Sequence, residues 1–230
     1  FQWWCGNRFA KGLIRTGYNP YSFTPALQER LIKMLEEFEA KYMEMAEKTF
    51  ELPSVLNRFE KTGELSRTQA ELIGAVGMAA RTTGLPRDIR NTHPFGYYLE
   101  QKYQPVLMTS GDVFARGMLR NMEIQHSLEY IRILLAQLRR TEEEPTESRA
   151  DFYEKKLKPN HFVISMTEGW RGEIVHCAIT DEKGELAHYK IKDPSFHNWL
   201  ALGLVLRDNE ISDFPICNKS FNLSYCGFDL

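Results

Sequence analysis

The sequence predicts a mainly α protein of the α+β class: a helical bundle carrying a small antiparallel sheet near its carboxyl end. Three observations carry that expectation. Apolar residues recur every three or four positions through most of the first 140 residues. A charged, proline-containing stretch without periodic apolar residues follows at 141–160. Beyond it come short strand-like runs separated by turn residues. The chain therefore reads as a bundle part at 1–140, a solvated connection at 141–160, and a small sheet with a tail at 161–230.

Thr24-Pro25 supplies an N-cap and a first helical residue whose φ is already set. Leu27, Leu31, Leu35, Phe38, Tyr42 and Met45 then form one apolar stripe, with Glu29, Arg30, Lys33, Glu36 and Glu37 on the solvated side. After Pro53, Ser66-Arg67-Thr68-Gln69 fits a capping box and starts a second helix. A long helix is predicted over 112–140, because Ile124, Leu128, Ile131, Leu135 and Leu138 keep the period with no interrupting proline. Three such helices imply a bundle. Phe162–Met166, Ile174–Thr180 and Leu186–Ile191 read as strands, the last two joined through Asp181–Glu185, where Gly184 is free to take positive φ. Pro194-Ser195 opens a short helix through Leu202, and the tail from Ile211 reads as irregular.

Composition narrows the function classes. With 29 Lys+Arg against 31 Asp+Glu and a formal charge of -2, the chain lacks the concentrated positive charge of a bulk nucleic-acid binder. Its longest apolar run, Trp199–Leu206, is far shorter than the roughly 20 residues of a membrane-spanning helix. Cys5, Cys177, Cys217 and Cys226 are too few and too scattered for a disulfide framework, which points to a reducing cytoplasm. The chain begins at Phe1 rather than Met, which reads as the carboxyl part of a longer polypeptide.

There is no Gly-rich phosphate loop, dinucleotide fingerprint, HExxH or CxxC pair, and no two histidines stand at helical metal-ligand spacing. Cys217 and Cys226 are either a metal pair or isolated thiols. Two clusters are more informative. In Glu168-Gly169-Trp170-Arg171-Gly172-Glu173-Ile174-Val175-His176, a charged turn sits between strand-like runs, so that Arg171 either presents its fork to a ligand or forms a structural ion pair with the flanking Glu residues. In Arg81–Pro94, Gly84 and Pro86 break the helix among crowded charges, which fits a binding loop or a charged hinge.

The order of these segments resembles the large-subunit family shared by nickel–iron hydrogenases and the 49-kDa-type subunit of respiratory complex I, on the side of the complex-I-like group 4 hydrogenases. Gly6-Asn7-Arg8-Phe9 through Gly12 and Arg15 is similar to its G-x-R-F-x-x-G-x-x-R segment. Gly74, Val76, Gly77, Arg81, Gly84, Asp88, Arg90, His93 and Pro94 lie in a run similar to its G-x-V-G-x-x-x-R-x-S-G-x-x-x-D-x-R-x-x-x-P stretch. Gly111–Arg116 is similar to G-D-V-Y-A-R, Glu168–Glu173 to E-x-P-R-G-E with Trp170 in the proline position, and Pro194–Asn198 to P-S-F-x-N.

The resemblance implies a single family domain lacking its amino-terminal portion, with Arg171 and Ser195 as the catalytic pair, since their counterparts in hydrogenases donate hydrogen bonds to the diatomic ligands on iron. It implies a cavity lined by Arg81, Asp88, His93, Glu168, His176, Pro194, Ser224, Cys226 and Asp229. Registered on Asp229, Ser224 and Gly227 occupy the positions of two nickel-binding thiolates, and neither can replace a soft sulfur ligand. No metal is therefore expected on this segment and a nickel–iron centre is disfavoured. The vacated cavity suits a quinone, with an iron–sulfur cluster in a small partner subunit. The implied protein is an oxidoreductase complex subunit, inactive as an isolated chain. It lies at the inner face of the cell membrane and is attached through other complex-I-like subunits. The alternatives are a non-catalytic scaffold paralogue and a true nickel–iron hydrogenase.

Overall fold

The computed structural model describes residues 1–15, 21, 23–138 and 156–228. Its described residues are mainly helical, with one three-stranded antiparallel sheet near the carboxyl end, which is the class the periodicity predicts. Most of the expected connection at 141–160 lies outside the described residues. The chain divides into two compact units, residues 1–47 with 125–157 and residues 48–124 with 158–230. Helices α2 (Pro25–Glu51) and α7 (Val113–Leu138) run through both divisions of the sequence.

The first unit contains α1 (Gln2–Cys5) and the greater part of α2 and α7. The Thr24 hydroxyl accepts from the Leu27 amide at 3.2 Å, so the predicted cap forms. The buried seam, however, is turned by one residue from the predicted stripe: Phe38 and Met45 are exposed, whereas Gln28 and Ala46 are buried. One polar residue is accommodated on that seam: Gln28 donates from Nε2 to the Leu135 carbonyl at 2.6 Å. Satisfied polar groups cost little to bury, so the seam follows partner availability as well as hydropathy.

The second unit holds α3 (Pro53–Phe59), α4 (Arg67–Leu72), α5 (Gly77–Arg81), α6 (Ile89–Thr92), strands β1 (Phe162–Gly169), β2 (Gly172–Thr180) and β3 (Leu186–Lys192), α8 (Ser195–Val205), α9 (Phe214–Phe221) and α10 (Tyr225–Phe228). Ser66 and Gln69 satisfy each other's backbone amides at 3.2 and 2.9 Å, completing the predicted capping box. Asp112 caps α7 through the Ala115 amide at 2.7 Å. Leu65, Ala70, Ala75, Ala80, Val113, Leu202, Val205, Cys217 and Phe221 form the main core.

The tail is more ordered than its sequence suggests. Helix α9 starts with Pro215 in its first turn and buries Cys217, Ser220 and Phe221, a face of helical spacing that is too short for periodicity to register. The strands pair in the order β1-β2-β3, and Gly169 lies opposite Gly172, leaving Trp170 and Arg171 as a two-residue hairpin turn. Gly77, at φ +59°, opens α5 directly against that turn: a Cβ there would lie 2.1 Å from the Gly172 Cα. Only glycine permits so close an approach of helix start to hairpin.

Candidate functional site

Arg171 is positioned by backbone contacts on both sides of the turn. Asn198 of α8 donates from Nδ2 to the carbonyls of Val76 and Arg171, each at 3.2 Å, and accepts from the Val76 amide at 3.1 Å. The Arg171 Nε donates to the Asn222 carbonyl, where the chain leaves α9 in a left-handed conformation. Neither neighbouring glutamate takes Arg171 as its partner, for Glu168 pairs with Arg81 and Glu173 with Lys192 at 3.2 Å. Of the two readings open to Arg171 in the sequence, the local ion pair does not form.

Further guanidinium groups meet the carboxyl end of α9. Arg116 donates to Ser220 Oγ at 2.8 Å and to the Gly111 and Gly63 carbonyls at 2.6 and 2.9 Å, with its guanidinium over the Phe221 ring. Arg120 donates to the Ser220 carbonyl and stands 5.5 Å from the Trp170 ring centroid. Cations suit this end because unpaired carbonyls concentrate negative potential there. Burial pulls Arg116 down to about 9 and Arg120 down to about 10, the latter also repelled by Arg171 and supported by Glu123. Both remain cationic at neutral pH.

Ser195 begins α8 fully buried. Its Oγ accepts from the Ser224 amide at 3.0 Å, while its own amide donates to Asp193 at 2.7 Å. Ser224 in turn accepts from the Gly227 amide at 2.9 Å. Arg171, Ser195 and Ser224 are thus gathered around one segment, the passage from α9 to α10, and Pro194, immediately before Ser195, is buried.

A second constellation gathers Arg81, Asp88 and Glu168, and adds two residues not picked out as cavity residues by the sequence, Arg90 and Glu123. Arg81 is 2% exposed. Its Nη1 lies 2.7 Å from Glu168 and 3.3 Å from Asp88, and its Nη2 lies 2.8 Å from Glu123. Asp88 is also held by Arg90 at 2.6 Å and caps α6 through the Arg90 amide. Glu168 accepts the Ile89 amide at 3.0 Å. Burial works against the Arg81 charge, but Glu123, Glu168 and Asp88 outweigh it and hold the guanidinium protonated. For Glu168 the balance is reversed: burial pushes its carboxyl up despite Arg81 and the Ile89 amide, and Asp88 pushes in the same direction. Glu123 lies on α7, seven residues beyond Arg116 and three beyond Arg120, so polar residues recurring on one helical face are the signal that could find it.

The remaining positions are not brought to either constellation. His93 is exposed, bonded through Nδ1 to Thr92 at 3.1 Å. His176 lies on the sheet with Nδ1 2.5 Å from the Tyr189 hydroxyl. Cys226 is exposed, and Asp229 lies outside the described residues. Among the described residues no group of three or more His, Cys, Asp and Glu side chains could hold a metal ion. The two positions in register with nickel-binding thiolates do not fit that group. Ser224 is a hydroxyl already engaged by Gly227, and a Cβ at Gly227 would lie 2.5 Å from the Asp193 carboxyl carbon. No thiolate side chain has room there with Asp193 in place.

The model of the family described as respiratory-chain NADH dehydrogenase, 49 Kd subunit, matches residues 1–229. Hydrogenase-4 component G of Escherichia coli is 27% identical over 220 residues, covering 96% of this chain and 36% of the relative. An NADH-quinone oxidoreductase subunit of Chloroherpeton thalassium is 27% identical over 232 residues, covering 92% and 52%. Carbon monoxide-induced hydrogenase of Rhodospirillum rubrum is 26% identical over 218 residues, covering 94% and 58%. The chain therefore spans between a third and three fifths of the length of these relatives.

Proposed function

The chain belongs to the respiratory-chain NADH dehydrogenase 49 kDa subunit family, and on that premise we propose that it is a large-subunit component of a membrane redox complex of the complex-I-like, group 4 hydrogenase-like kind. In this reading it acts in NADH:quinone oxidoreductase-type electron transfer beside a small iron–sulfur subunit, and the region of Arg171 and Ser195 accepts a quinone. The family match along almost the whole chain carries the proposal. No helix among the described residues is long and apolar enough to cross a membrane, and the proposed attachment at the inner, cytoplasmic face is through partner subunits.

The chemistry of the turn supports a polar, uncharged ligand. Among the described residues Arg171 engages only its Nε, leaving its Nη donors for a carbonyl oxygen, and Trp170 beside it is 55% exposed, offering a ring face for an aromatic head group. A donor held by packed backbone stabilises charge developing on a reduced ligand without reorganising. The role proposed for Ser195 is to position the tail that carries the Arg171 acceptor, because its hydroxyl already receives the Ser224 amide. That same engagement favours a second reading, a scaffold paralogue whose Arg171 and Ser195 serve only to fasten the tail.

Arg171→Ala in the full-length chain separates the two. The redox reading expects the variant to copurify with its iron–sulfur subunit, to melt within a few degrees of wild type, and to lose quinone-dependent or ferredoxin-dependent turnover by at least tenfold. Unchanged turnover in the assembled complex, or turnover lost only in proportion to lost assembly, establishes the scaffold instead.

A further inference from the structure

The turn that carries Arg171 also presents a large aromatic ring. Trp170 is 55% exposed, and among the described residues no other ring packs on it, whereas Tyr225, 68% exposed, is stacked on Trp199 with centroids 5.0 Å apart. A proline, which stands at this position in the motif that Glu168–Glu173 resembles, would close the turn and offer no ring. Apolar surface of that size gains free energy when a ligand covers it. We propose that Trp170 is the specificity-determining residue of the quinone site, and that it stacks a fused two-ring head group of the naphthoquinone kind in preference to a single-ring benzoquinone. The inference rests on the redox reading above and names the class of quinone.

The ring is held in place from behind. The Arg120 guanidinium lies over it, 5.5 Å from the centroid. Arg120 is fastened in turn, through Nη2 to the Ser220 and Phe221 carbonyls and through Nη1 to the Arg116 carbonyl at 3.3 Å. The backbone beneath the ring is equally fixed: Gly77 and Gly172 leave no room for a Cβ between α5 and the turn, and Asn198 donates to the Arg171 carbonyl at 3.2 Å. With one face against a cation and the turn anchored, the exposed part of Trp170 is its opposite face and rim. A ligand that stacks there meets a surface already ordered, so little of the contact energy is spent on immobilising it.

The polar donors lie in the same neighbourhood. Arg120 and Arg171 bond to carbonyls of three consecutive residues, Ser220 and Phe221 for the first and Asn222 for the second. Arg171 uses only Nε among the described residues, so its Nη groups stand available to a carbonyl oxygen on a head group lying over the indole. Ring count then decides between quinones. Both classes present carbonyl oxygens to Arg171, but the indole is itself two fused rings: a naphthoquinone overlaps both and a benzoquinone one, so the first withdraws more apolar area from water. An exposed tryptophan can also anchor a protein interface, and the test separates that role from this one.

The test is steady-state kinetics of the complex containing the full-length chain, with a short-chain naphthoquinone and a benzoquinone carrying the same side chain, in wild type, Trp170→Phe and Trp170→Ala. Trp170→Ala is expected to raise KM about tenfold for the naphthoquinone and about threefold for the benzoquinone, the span of an aromatic stacking contact, with kcat changed less than twofold for either. Trp170→Phe, which keeps one ring, is expected to raise KM for the naphthoquinone alone. Equal KM changes for the two quinones in Trp170→Ala, or no change in either, overturn the proposal, as does loss of copurifying subunits in that variant, which would make Trp170 a protein anchor. Should Trp170→Ala fail to fold, the Trp170→Phe pattern decides. Equilibrium dialysis of the two quinones separates this proposal from the redox reading: the same discrimination in Kd, in a complex without quinone-dependent turnover, upholds the stacking site and overturns the redox reading alone.

Discussion

Arg81→Met tests the central electrostatic argument through stability. The substitution keeps an unbranched apolar stem of similar reach and removes the charge that faces Glu168, Glu123 and Asp88 at 2.7, 2.8 and 3.3 Å. Removing one partner of a buried pair costs about 3–5 kcal/mol, because the other charge is left uncompensated. Three carboxylates share this loss, yet the total stays near the upper end of that range rather than tripling, since protonation relieves the repulsion. The loss is a large fraction of the roughly 5–15 kcal/mol by which a domain is stable. Its pH dependence has a fixed sign. Arg81 is a cause that lowers the Glu168 carboxyl, so its removal raises that carboxyl further above its unfolded value. The folded variant then binds more protons than the unfolded chain, and its stability is regained as pH falls toward the unfolded pKa and lost as pH rises through the folded one. Urea unfolding at pH 7 and pH 5 measures both effects. A loss below about 1 kcal/mol at pH 7, or a loss that is the same at both pH values, would refute the reasoning.

Two further substitutions probe the backbone around the turn and the tail. Gly77→Ala places a methyl 2.1 Å from the Gly172 Cα at a φ of +59°, and a loss of about 2–3 kcal/mol is expected from strain and displacement of the hairpin; a melting temperature equal to wild type would show that the contact is not tight. Gly227→Cys, alone or with Ser224→Cys, is expected to load no stoichiometric nickel when the protein is prepared without oxygen or chelators, because Asp193 occupies the place of the side chain. Nickel analysis checks this, and one nickel per chain would mean that Asp193 yields.

Local rules read most of the elements correctly from residues close in the chain. The Thr24 cap, the Ser66–Gln69 capping box and the Asp181–Glu185 loop all depend on partners within four positions, and the three strands are recognisable by composition and turn spacing. The α2 seam departs from the predicted stripe at Gln28, which is buried because it finds an acceptor in the Leu135 carbonyl, 107 positions away. The helix at Phe214–Phe221 escapes prediction because two turns offer too few repeats for a period to emerge.

The candidate site divides along the same line. The sequence alone singles out Arg81, Asp88, Glu168, Arg171 and Ser195, because each sits in a motif whose neighbours mark it. It cannot tell that Glu168 belongs with Arg81, 87 positions away, while Arg171, three residues further on, turns instead to the Asn222 carbonyl. Nor can it enrol Glu123, which occupies an ordinary helical position until Arg81 is folded against it. Strand alternation and hairpin geometry send Glu168 and Arg171 in different directions. Which charge meets which is then settled by packing, since a guanidinium withdrawn from water must take whatever carboxylates the core places within hydrogen-bonding reach of it.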